Sequence, residues 1–156
     1  MFKIKIICIG KFKEDYWRSA EAEYLKRLQP YAKVEVVELR DRAFKNANER
    51  EIIIDQEGDE ILKKIPADSL VVTMEIEAKE KTSEQMAEWL SQEGEGGREV
   101  CLIIGGPLGL SSAVKSKAKQ HFSLSRLTLP HQLARILLVE QIYRSITILN
   151  GKQYHY

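Results

Sequence analysis

The sequence predicts an α/β fold, a parallel-type sheet flanked by helices. Apolar runs alternate with helical patterns along the chain, which implies parallel pairing through crossover helices. No linker, repeat or low-complexity stretch interrupts the 156 residues, so residues 1–156 read as a single domain. A chain of this size buries roughly 68–70% of its unfolded surface, enough for a real core.

The elements follow in order. Residues 3–9 read as a first strand. Residues 15–29 form a helix with Trp17, Ala20, Tyr24, Leu25 and Leu28 on one face, ended by Pro30. Residues 33–39 alternate polar and apolar as a strand does. A polar loop, 40–48, leads to a helix running to about Ile65, with Asn48 as its cap and Gly58 as a weak point. Residues 69–76 form a third strand. Thr82 and Gln85 then match a capping box for a helix that the glycines of 94–97 end. Val100-Cys101-Leu102-Ile103-Ile104 is the most apolar strand and runs straight into Gly105-Gly106-Pro107-Leu108-Gly109. A short helix over 111–119, a short fifth strand over 125–129 closed by Pro130, and a helix over 131–149 stopped by Gly151 complete the chain.

No apolar run approaches the ~18–20 residues that span a bilayer, and residues 1–10 lack the small-residue cleavage site of a signal peptide. Cys8 and Cys101 each sit inside an apolar run and read as buried small hydrophobes, which fits reducing, cytoplasmic surroundings. No CxxC or His/Cys cluster offers a metal site. Net charge is +1, unevenly spread. Residues 1–100 hold 17 Lys/Arg against 22 Asp/Glu, whereas residues 101–156 hold 7 against the single Glu140. Such asymmetry fits either an anionic partner for the C-terminal third or a basic face paired with acids elsewhere. The acidic runs 55–60 and 75–80 read as solvated faces.

Four features carry chemistry. The glycines at 105, 106 and 109 follow a strand at its carboxyl end, where open α/β sheets bind ligands, although a plain βα turn reads equally well. The loop is neither a Walker A motif nor GxGxxG. The segment 124–131 is short, hydroxyl-bearing and stopped by Pro130, so its backbone groups are open to a ligand; Ser125 and Thr128 serve equally as local caps. The last helix is apolar almost all round, which fits a subunit interface or a central helix. On it Glu140 and Arg144 are spaced to pair, while Arg135 has no obvious local partner. The Tyr154-His155-Tyr156 ending reads as a frayed tail or as a cover that stacks on a base.

The run Ile103-Ile104-Gly105-Gly106-Pro107-Leu108-Gly109, the run Leu124-Ser125-Arg126-Leu127-Thr128-Leu129-Pro130-His131-Gln132-Leu133-Ala134-Arg135, and the ending Glu140-Gln141-Ile142-Tyr143-Arg144 with Tyr154-His155 together resemble one bacterial family. It is the 23S ribosomal RNA pseudouridine-N3 methyltransferases, the ribosomal RNA large-subunit methyltransferase H family of the SPOUT superfamily. Ile7-Cys8-Ile9-Gly10-Lys11 and Tyr24-Leu25-Lys26-Arg27 extend the resemblance over essentially the whole chain. One departure stands out. Where the family has Leu-Asp-x-x-Gly-Lys after the third strand, this chain has Met74-Glu75-Ile76-Glu77-Ala78-Lys79.

The resemblance implies a SPOUT α/β knot in the C-terminal part, which pattern reasoning alone would exclude because knots are so rare. It implies S-adenosylmethionine in a pocket lined by Met74, Gly105, Leu124, Ser125, Arg126, Leu127, Thr128 and Leu129, with no metal. It also implies a homodimer with the last helix at the interface, and a pseudouridine of 23S rRNA in the assembled ribosome as substrate. His155 and Arg144 are then expected to face the substrate base, His155 as the proton acceptor and Arg144 as the electrostatic partner. Lys115, Lys117, Lys119, Arg126 and Lys152 are expected on phosphates. His131 is expected to shape the pocket or cap its helix. The rival readings are a non-enzymatic RNA-binding factor of the same fold, a tRNA methyltransferase of the superfamily, and a dinucleotide-dependent oxidoreductase. The last lacks GxGxxG near its first strand.

Overall fold

A computed structural model describes residues 1–154. The described elements run β1 (Phe2–Ile9), α1 (Asp15–Leu28), β2 (Ala32–Leu39), α2 (Arg50–Lys64), β3 (Leu70–Met74), α3 (Ser83–Gly94), β4 (Glu99–Ile104), α4 (Ser112–Lys117), β5 (Gln120–Phe122) and α5 (His131–Leu149). The five strands pair in the order β2-β1-β4-β3-β5, every pair parallel. This is the predicted fold class.

Alternation along the central strands divides the core in two. Ile4, Ile6, Cys8, Val100, Leu102 and Ile104 face α3, α5 and the end of α1, meeting Leu28, Trp89, Leu90, Leu138 and Ile142. Ile7, Ile9, Cys101, Ile103 and Val71 face α2 and α4, meeting Ile61 and Val114. The stretches 6–9, 70–72 and 100–104 of the middle strands are thus apolar at every position because both faces are covered. Cys8 and Cys101 are free and buried within these layers, as their apolar flanks suggest.

The helix ends follow local chemistry. The capping box forms, with the Gln85 amide donating to Thr82 Oγ1 at 3.2 Å and the Thr82 amide donating to Gln85 Oε1 at 2.9 Å. Gly151 takes φ +62° after α5 and its amide bonds Ile148 O. Asn46, not Asn48, provides the cap before α2. Its side chain accepts from the Asn48 amide and closes a short 3-10 turn, Ala47–Glu49, that feeds the helix. Gly58 is no weak point. A Cβ there would lie 2.2 Å from Ser111 Oγ, so the glycine lets α2 approach the start of α4.

The fifth strand is not where the sequence pattern put it. Gln120–Phe122 pair with Val72–Met74, and the Lys119 amide already bonds Val71 O, which ends α4 before 119. Residues 125–129 form a loop. The Ser123 hydroxyl donates to Ser125 O at 2.8 Å and the Leu127 amide donates to Ser125 Oγ at 3.0 Å, so side chains take the backbone groups a ladder would need. β3 likewise stops at Met74, because residues 75–78 turn back with the Ala78 amide on Glu75 O.

α5 buries Leu138, Val139, Ile142 and Ile146 against α1, α3 and β4. Its opposite stripe is only partly covered, with Leu133 at 38% exposure and Ile136 and Leu137 half-buried. Among the described residues no helix is long and apolar enough to cross a membrane.

Candidate active site

Three loops leave the carboxyl ends of neighbouring strands: 75–82 after β3, 105–111 after β4 and 123–130 after β5. Between them lies a cleft of about 730 Å³, closed at one end by the start of α5. Clefts at this edge of an open α/β sheet and of this volume are the usual place and size for a small ligand.

The glycine loop forms one wall because side chains would not fit. A Cβ on Gly105 would press on Leu110 at 2.9 Å, one on Gly106 would meet Ile9 at 3.0 Å, and Gly109 takes φ +90°. The Gly109 amide bonds Gly106 O at 3.0 Å and closes the turn. The backbone is therefore bare toward the cleft and fixed from behind.

The 123–130 loop forms the facing wall. Leu124, Ser125, Leu127, Thr128 and Leu129 line the cleft, as do Met74 and Gly105. Leu127 is 73% exposed, an apolar side chain held at the rim. Arg126 does not join them. It points outward to Glu80, Nε to Oε1 at 3.3 Å, with an exposed side chain. His131 closes the end wall. Its Nε2 would stand 3.3 Å from a Cβ on Gly10, which has φ +94° after β1. The histidine thus shapes the pocket against a glycine required at that place.

Arg135 anchors this wall. Its guanidinium makes paired bonds to Glu21 of α1, bonds Glu38 of β2 at 2.7 Å, and lies 3.9 Å from the Phe12 ring centroid. It is 4% exposed. The sequence gives no hint of this, because both partners lie about 100 residues away, 114 for Glu21 and 97 for Glu38.

Two carboxylates read as solvated are not. Glu75 sits on the cleft wall with Thr73 Oγ1 at 2.6 Å, His121 Nδ1 at 2.8 Å and Lys115 Nζ at 3.3 Å. Burial alone would raise its pKa, but the Thr73 and Lys115 bonds and the nearby cations win and hold it below the usual glutamate value of 4.5. Glu57 of α2 is 4% exposed and lies behind the glycine loop. Their signal was position: Glu75 directly follows a strand end, and Glu57 precedes the glycine that seats α2. At the departure from the family pattern, Ala78 closes its turn without a positive φ, so the backbone there does not demand a glycine.

Arg144 is not at this cleft. Its Nε and Nη2 bond Glu140 Oε1 at 2.9 and 2.6 Å, and its guanidinium lies 4.8 Å from the Tyr154 ring centroid. The Glu140 bond, against modest desolvation, raises its pKa further and keeps it cationic. Thirteen residues of helix separate it from His131, roughly 20 Å at 1.5 Å per residue. His155 lies outside the described residues. Among the described residues no group of three His, Cys, Asp or Glu is placed to hold a metal ion.

A family profile described as predicted SPOUT methyltransferase matches residues 2–155. The ribosomal RNA large subunit methyltransferase H of Bacillus pumilus (strain SAFR-032) is 47% identical to this chain, covering 97% of it and 98% of the relative. The protein of the same name from Bacillus cytotoxicus is 49% identical with the same coverage. A solved structure, a probable methylase family protein from Haemophilus influenzae Rd KW20, superposes with a TM-score of 0.53 at 15% identity, over 97% of this chain and 67% of that one. At that identity it speaks for the fold alone. With the glycine-walled cleft at the carboxyl edge of the sheet, the profile match over nearly the whole length shows that the chain belongs to the SPOUT methyltransferase family and is a methyltransferase.

Proposed function

We propose that this protein transfers a methyl group from S-adenosylmethionine to N3 of a pseudouridine in 23S rRNA of the assembled ribosome. Residues 1–156 act as one SPOUT-type domain, with the knot its family implies, in the cytoplasm. The observation that carries the reading is the cleft itself. A bare glycine wall, an apolar rim and backbone-rich loops fit a nucleoside with an amino-acid tail, and the curated relatives are named as ribosomal RNA methyltransferases. When bound, the cofactor supplies an electrophilic methyl group. The chain's own part is to hold the acceptor in line with it, worth roughly 7–11 kcal/mol of barrier. Met74, Gly105, Leu124, Ser125, Leu127, Thr128 and Leu129 hold the donor; Arg126 is better assigned to RNA phosphate, as its outward position supports.

The acceptor N3 must lose a proton. His155 takes it, and Arg144 stabilises the anion that forms, its Nε and Nη2 bound to Glu140 and its Nη1 turned to the base. Because Arg144 lies ten residues beyond Ala134, the last cleft-lining residue of α5, roughly 15 Å along the helix, a second copy must supply it. The half-covered stripe of Leu133, Ile136 and Leu137 supports α5 as the interface of that homodimer.

Subunit mixing tests the reading. Arg144→Ala and Gly106→Leu proteins are each expected to be inactive on ribosomes. Unfolded and refolded together, they should recover about a quarter of wild-type turnover, since half the dimers carry one intact site of two. No recovery from two folded, dimeric variants would defeat the shared-site mechanism.

A further inference from the structure

Glu57 occupies an unusual place. It is 4% exposed, and its Oε2 is buried with no hydrogen-bond partner. That oxygen would lie 3.3 Å from a Cβ on Gly106, so one bare peptide separates it from the cleft. A carboxylate removed from water is ordinarily paired. The nearest cation is Arg42, whose Nη2 is committed to Glu60 at 3.0 Å and whose Nη1 is itself buried without a partner. The charged neighbours of Glu57 are Arg42, Asp41 and Glu60, three carboxylates in all against one guanidinium. The glycine loop contributes no charge; of the cations lining the cleft, Lys115 is paired with Glu75, and Arg50 stands at the start of α2, about two helical turns before Glu57. Arg42 compensates Glu57 in part, by its charge and its backbone amide; the Oε2 that faces Gly106 is left without a partner, open to a cation across the glycine loop.

Resting on the methyl-donor reading above, we infer that Glu57 is a specificity residue: its charge, acting through the bare glycine loop, favours the sulfonium form of the cofactor over the neutral thioether product. Glu57 touches neither ligand. It sets the difference between a cation and a neutral molecule of the same shape, which helps product leave once the positive charge is gone. Burial also pushes its carboxyl above the usual glutamate value, with Arg42 opposing. Acidification through that raised value removes the charge and the preference with it.

The test is equilibrium binding of S-adenosylmethionine and of S-adenosylhomocysteine by calorimetry, to wild type and to Glu57→Gln, between pH 5 and 7. One opposite charge across a single peptide in a partly screened interior gives a preference of about fivefold to fiftyfold. Glu57→Gln should lose that factor for the sulfonium and hold the thioether as wild type does. The wild-type ratio should fall on acidification toward that of Glu57→Gln, and the variant should lose most of this slope; His131 and Glu75, which also line the cleft, are the same in both proteins. Equal weakening of both ligands means a packing role and overturns the inference, as does an unchanged ratio. Wild type that binds neither ligand overturns the methyl-donor reading and this inference together. If the variant does not fold, a wild-type ratio that stays unchanged on acidification overturns the inference by itself.

Discussion

Replacing Arg135 by alanine removes the one cation of a buried cluster, and the cost follows from what is left behind. The Glu21 side chain is 11% exposed and loses paired bonds; that of Glu38, at 31%, can turn to water. One stranded buried carboxylate costs about 3–5 kcal/mol. The guanidinium also leaves the Phe12 face, a contact that belongs to the same substitution. For a chain of this length each kcal/mol lowers Tm by about 2–4 °C, so calorimetry should show a fall of roughly 6–20 °C. The reasoning assigns the loss to the stranded charge and not to the missing bonds. Arg135→Met with Glu21→Leu should therefore recover most of the stability, since apolar replacement of a whole buried pair is often neutral. A single-variant loss below about 1 kcal/mol, or a double variant as unstable as Arg135→Ala, would refute it.

Other consequences are equally direct. Gly58→Ala places a Cβ 2.2 Å from Ser111 Oγ and should cost about 1–3 kcal/mol by denaturant titration, against a stabilising Gly→Ala effect at an open helix position. Gly106→Ala crowds Ile9 at 3.0 Å and Glu57 at 3.3 Å behind the loop; it should cost about 1–3 kcal/mol by denaturant titration and, by pushing the loop into the cleft, lower donor affinity measured by calorimetry about tenfold or more. Arg126→Ala should leave donor binding intact, weaken ribosome binding and lower its salt slope by about one. Glu75, whose pKa is lowered in the fold, contributes stability that is complete above the ordinary value of 4.5 and drains away as pH falls through the lowered one. Glu75→Gln should accordingly show a smaller loss of Tm between pH 5 and 3 than wild type does.

Much of the fold was legible because apolar periodicity and turn chemistry are local. The 100–104 run, the Thr82 box and Gly151 each carry their structural meaning within a few residues. The short fifth strand was misplaced because Gln120-His121-Phe122 has no alternation of its own. It becomes a strand only by lying beside β3, while 125–129 has strand-like residues whose serines bind the backbone instead. The cleft walls could be read from their motif, since the glycines at 105, 106 and 109 and the 124–129 segment are continuous in sequence. The ionic parts could not. Arg135 meets its partners across α1 and β2, and Glu57 and Glu75 look like members of acidic runs until packing turns them inward.

The central claim is tested most directly by incubating the protein with methyl-labelled S-adenosylmethionine and ribosomes, naked 23S rRNA or bulk tRNA, each from a strain lacking the modification. The account predicts label on assembled ribosomes alone, mapped by mass spectrometry to a single pseudouridine carrying methyl on N3. Label on tRNA, or none on ribosomes from a protein that binds the donor, would contradict it.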